Sequence, residues 1–90
     1  HEYILSKQLL RSGTSIGANV KEAIRGQSKD DFIHKLNISL KEASESEYWI
    51  ELLFETDYIT KQQFDSLIGD CRELIKLLTS IIKTSRKEGK

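Results

Sequence analysis

From Phe64 to Ile82 an apolar side chain returns at every third or fourth position: Phe64, Leu67, Ile68, Cys71, Leu74, Ile75, Leu78, Ile81 and Ile82. At about 100° per residue they gather on one stripe, so this segment is an amphipathic helix with one buried face. Thr60 followed by Gln63 supplies a capping box at its start, and Lys83, Arg86 and Lys87 complement the helix dipole near its end. The expected helix covers residues 61–86, to within a few positions. No proline occurs in the 90 residues, so nothing of that kind breaks the segments before it.

The middle segment opens with Ser28, a capping residue, and with Asp30 and Asp31, which place negative charge at the first turn. Phe32, Ile33, Leu36, Leu40, Ala43, Ile50 and Phe54 then share one stripe, giving a long helix expected over 29–57. A second apolar line, Ile38, Trp49 and Leu52, lies within about 60° of arc on the other side. A helix apolar on two sides needs two partners.

The first segment contains "RSGTSIGANVKEA", where Ser12, Gly13, Thr14, Ser15 and Gly17 leave a loop or a helix open. Phase decides. Leu5, Leu9, Ile16, Val20 and Ala23 stay within about 60° of arc across the glycines, and Lys7, Arg11, Lys21 and Arg25 stay within about 80° on the opposite face. A loop has no reason to preserve both phases, so one helix is expected over 4–25. Two interior glycines cost it about 1 kcal/mol each relative to alanine. Close approach of a neighbouring helix along the Gly13/Gly17 edge is the natural offset. The reading is one all-α domain, an antiparallel up-and-down bundle.

Hydrophobic residues make up 38% and charged residues 31% of the chain, as expected of helices with one solvated face. The single cysteine, Cys71, excludes an internal disulfide and a cysteine-based zinc site, and fits a reducing cytoplasm. With no signal peptide and no membrane-length apolar run, the expectation is a soluble, intracellular protein with no membrane role. Net charge is zero but blocked: +3 over residues 1–29, −7 over 30–73 and +4 over 74–90. The two basic segments can form one surface in a neutral whole, or simply neutralise the acidic helix.

No catalytic constellation is present. A phosphate-binding loop needs a preceding strand and a Gly-Lys-Ser/Thr ending, which are absent. A bundle di-metal site needs two Glu-x-x-His units. Asp31 and His34 offer one half-motif, and His1 is the other histidine. No metal, cofactor or small-molecule substrate is expected. Glu47 stands on the apolar stripe of the middle helix and reads as a buried polar contact that fixes packing register, its donors being nearby hydroxyls or a helix end. Cys71 reads as a small core residue, and Tyr48 and Trp49 as packing aromatics rather than a base-stacking pair.

Two blocks carry a resemblance: "LSKQLLRSGTSIGANVKEAIRGQSKDDFIHKL", residues 5–36, and "LKEASESEYWIELL", residues 40–53. The pattern Ser15-Ile16-x-Ala18-Asn19, Glu22-Ala23, Ser28-Lys29, Phe32, Glu42-Ala43 and Tyr48-Trp49 resembles the small four-helix-bundle proteins encoded in intervening sequences of bacterial 23S rRNA genes. Many of those proteins carry proline where this chain has Gly17. The resemblance implies a four-helix fold whose first helix precedes the present three, ring-shaped homo-pentamers, and no catalytic residues. It also implies similarity to the accessory protein of diversity-generating retroelements, which binds nucleic acid and a reverse transcriptase.

The expected function is therefore a non-enzymatic homo-oligomeric scaffold or adaptor, with Gly13, Gly17, Ile38, Trp49 and Leu52 at the subunit interface. RNA or DNA binding is expected through Lys7, Arg11, Lys21 and Arg25. A pure protein–protein module is the alternative, and a metal-dependent enzyme using Glu47 the remote one.

Overall fold

A computed structural model describes residues 2–26 and 28–88. Three helices carry the chain: α1 (Glu2–Ile24), α2 (Lys29–Glu55) and α3 (Lys61–Glu88), with no strand among the described residues. His1, the second histidine weighed for a metal, lies outside them. α1 runs through Gly13 and Gly17 without a break, as the two conserved phases of the stripe and the cations require.

The helix ends are built by the expected side chains. The Asp31 backbone N–H donates to Ser28 Oγ at 3.0 Å. In the capping box, the Gln63 N–H donates to Thr60 Oγ1 at 3.1 Å and the Thr60 N–H donates to Gln63 Oε1 at 2.9 Å. α2 stops two residues short of the expected end because Asp57 takes a left-handed conformation, with φ 66°. Its N–H donates to Phe54 O and the next, of Tyr58, to Leu53 O, which closes the last carbonyls of the helix.

α2 is central. It packs against α1 on one flank and α3 on the other, while no Cα of α1 comes within 8 Å of one in α3 among the described residues. The two-sided apolarity of α2 thus has two partners inside the chain. One core cluster joins Ile16 and Ala23 of α1, Leu36 and Ala43 of α2, and Leu78 and Ile82 of α3. A second joins Ile50, Ile68 and Cys71, with Leu9, Ile59 and Phe64 packed on it. Phe54 and Phe64 stack with ring centroids 4.4 Å apart.

The α1–α2 seam is made of small residues. Ser12, Ser39 and Ala43 are fully buried, Ala23 is 1% exposed and Ser46 is also buried. Ser39 Oγ donates to Ile16 O across the seam at 3.0 Å. A seryl side chain fits between two close backbones and satisfies its own hydroxyl there, which is why these positions hold serine and alanine rather than leucine. The close approach expected along Gly13 and Gly17 is not made here: a Cβ built on either would meet nothing within 4 Å. Both glycines are exposed, on a flank of α1 beside the seam.

The molecule is a rod of 47 × 19 × 13 Å with 6310 Å² of accessible surface. A globular chain of 10.4 kDa exposes about 5,400 Å². The excess, about 900 Å², is close to one side of a standard protein–protein interface.

Candidate interaction surfaces

α1 and α3 fail to meet among the described residues. Between them runs an open groove of about 680 Å³, walled by Leu9, Leu10, Gly13 and Ile16 of α1 and by Leu67 and Leu74 of α3, with Ile50 and Leu53 of α2 as its floor. Leu10 on its lip is 71% exposed. Gly13 belongs to this wall, so the glycine edge is a surface open to a further helix and not part of the α1–α2 contact. Further large apolar side chains stand exposed at Tyr3, Ile4, Ile24 and Leu77.

Of the other interface residues expected from sequence, Ile38, Trp49 and Leu52 are each half-buried. Leu52 lines a smaller cleft with Ile4, Leu5, Thr56 and Tyr58, so α1 takes part of a face that the sequence reading gave to a neighbouring subunit. Trp49 meets Tyr48 edge to face at 5.0 Å, and its buried Nε1 has no acceptor among the described residues.

The four α1 cations do not act alike. Arg11 folds onto α2, where its guanidinium pairs with Glu45 and lies 3.6 Å from Glu42, while its Nε donates to Gln8. Arg11 is thereby taken out of the basic stripe, because two carboxylates of the acidic helix reach it across the seam. Ser12 Oγ donates to the same Glu45 at 3.3 Å. Lys7 lies 6.0 Å from the Tyr3 ring centroid, and Lys21 and Arg25 are exposed with no ion-pair partner among the described residues.

Glu47 is not the buried contact expected. Its side chain is 29% exposed and accepts from Arg72 Nε of α3 at 2.8 Å. The helical wheel places it on the apolar stripe, but at the margin beside α3, where an arginine reaches it from outside. The buried polar contacts are Ser12, Ser39 and Ser46. A signal for them existed: Ser39, Ala43 and Ser46 recur in phase with Leu36 and Leu53, a stripe of small residues in the middle of an apolar face. His34 is exposed, and no group of metal-ligating side chains occurs among the described residues. Nor is any helix there long and apolar enough to cross a membrane.

Cys71 is buried, and its Sγ donates to Ala43 O at 3.2 Å. Burial pushes the thiol above its ordinary value, the Glu47 charge pushes it further, and Arg72 opposes both. The folded thiol therefore holds its proton where the unfolded one loses it, so Cys71 favours the fold below about pH 8.5 and that contribution fades as pH rises further. At pH 8 a disulfide reagent will modify Cys71 at least ten-fold more slowly in the folded protein than in urea. Equal rates would show that the α2–α3 contact opens freely.

The family model for the 23S rRNA-intervening sequence protein matches residues 1–80. A solved structure of a protein of unknown function from the S23 ribosomal protein family of Bacteroides thetaiotaomicron is 62% identical in sequence, with a TM-score of 0.86. The match covers 89% of this chain and 71% of that one. No curated protein matches.

Proposed function

The chain belongs to the 23S rRNA-intervening sequence protein family, and from that premise we propose that it is a non-enzymatic scaffold that assembles with copies of itself. In this reading the helices form an antiparallel up-and-down bundle, the groove between α1 and α3 seats a fourth helix, and the remaining apolar surface meets neighbouring subunits. The observation that carries it is the groove: a leucine-lined channel beside a glycine wall, in a chain with about 900 Å² more surface than its mass requires. The solved relative is longer than the span it shares with this chain, which supports a further helix as the occupant. Gly13 allows that helix a close approach.

Light scattering and sedimentation across micromolar concentrations test the assembly. The protein is expected above monomer mass, and Ile4→Lys, which changes an exposed side chain of the cleft at Leu52, outside the groove, is expected to weaken assembly about ten-fold with an unaltered circular dichroism spectrum. A wild-type monomer at every concentration would reject the scaffold.

A second reading, nucleic-acid binding, is favoured by one observation. The basic segments of α1 and α3 lie at the same end of the rod, since Ala23 and Ile82 share a core cluster through α2, and Lys21 and Arg25 there have no ion-pair partner among the described residues.

A further inference from the structure

The charge blocks of the sequence become a polarity of the rod. In the half holding the first core cluster, residues 14–26, 28–42 and 75–87 carry nine Lys/Arg against four Asp/Glu. In the other half, residues 3–13 and 43–74 carry four against eight. A neutral protein thus has one end that attracts anions and one that repels them.

At the basic end, on the flank of α2 away from α1, a cleft of about 490 Å³ opens between α2 and α3. Leu40 and Ile82 form its apolar floor, Asn37 and Thr79 its polar wall, and Lys83, Arg86 and Lys87 its rim. No acidic residue lines it. None of the three cations has an ion-pair partner among the described residues. Asn37 donates one amide hydrogen to Ile33 O and Thr79 donates its hydroxyl to Ile75 O, so each keeps an oxygen free to accept. Cations at a helix C-terminus complement its dipole, which accounts for their sign. It does not account for their grouping within about 100° of arc, beside a cleft with an apolar floor and two free acceptors.

We propose that this cleft binds single-stranded nucleic acid. One base lies on Leu40 and Ile82 with an exocyclic amino group donating to Asn37 and Thr79, and the flanking phosphates lie on Lys83, Arg86 and Lys87. The proposal rests on the second reading above and moves its centre from the α1 stripe to the α2–α3 cleft. An acidic protein segment would satisfy the cations and leave the base-sized slot and its acceptors without use.

Fluorescence anisotropy of a labelled twelve-nucleotide single strand, with the whole protein, is the test. Three phosphate contacts predict about a 20-fold loss of affinity between 50 and 200 mM salt. Lys83→Gln with Lys87→Gln should leave only about a three-fold salt effect, with unchanged circular dichroism, whereas Lys7→Gln should move neither quantity. A strand of the same length lacking bases should bind more weakly. An equal affinity for the abasic strand, or equal competition by polyglutamate, would overturn the base-binding cleft. Binding lost only in Lys21→Gln and Arg25→Gln variants would overturn the cleft and keep the nucleic-acid reading. No binding by the wild-type protein at 50 mM salt would end both.

Discussion

Ser39→Leu will destabilise the fold by about 2–4 kcal/mol. The seryl side chain is fully buried in the α1–α2 seam, opposite the Ile16 carbonyl that accepts its hydroxyl. Leucine adds two heavy atoms where the backbones leave no room, at about 1–3 kcal/mol for overpacking, and removes a hydrogen bond worth about 1 kcal/mol. The sum of about 2–4 kcal/mol is a large share of the roughly 5–13 kcal/mol expected for a domain of this size. Urea unfolding followed by Trp49 fluorescence will show it. Ser39→Ala, which keeps the small volume, should lose only about 1 kcal/mol. If Leu and Ala behave alike, the seam is looser than its burial implies.

Arg11→Ala should cost about 2 kcal/mol, far more than an exposed arginine ordinarily contributes. The reason lies in what it leaves behind. The Glu42 side chain is 15% exposed, and its buried Oε1 has no hydrogen-bond partner among the described residues. Arg11 is the cation beside it, and also bridges to Glu45. Removing the guanidinium strands a largely buried carboxylate. Glu42→Gln in the Arg11→Ala background should recover most of the loss, and a double-mutant cycle by urea unfolding measures that coupling. Independent, additive effects would show that Glu42 does not need Arg11. In the oligonucleotide titration, Arg11→Ala should change little, since its charge is already engaged within the chain.

The helices were legible because each level of the sequence agrees. Phe64 to Ile82 carry one stripe, Thr60 and Gln63 cap it in the manner their spacing implies, and Ser28 does the same for α2. α1 was legible through its glycines because two independent phases crossed them. What periodicity reports is a face, and it does not say which neighbour that face meets. The Gly13/Gly17 edge drew attention as a site of close approach, yet within the chain that role falls to Ser12, Ser39 and Ala43. Glu47 and Arg11 misled for a related reason. A long side chain at the margin of a stripe can turn toward a neighbour's opposite charge, and the wheel of one helix carries no record of the other helix. The cleft at Lys83, Arg86 and Lys87 needed the pairing of α2 with α3, although its cations were visible from the start as helix-end charges.

The separation of α1 from α3 bears on how the molecule comes apart. Each outer helix holds to α2 and not to the other, so the three are coupled in series, like links that share a middle member. Loss of α3 can then expose Cys71 and Ile50 while the serine seam between α1 and α2 stays closed. Hydrogen exchange should accordingly show α3 amides opening at lower free energy than those of α2, and a helix seated in the groove would join the two outer links and raise both toward a single value.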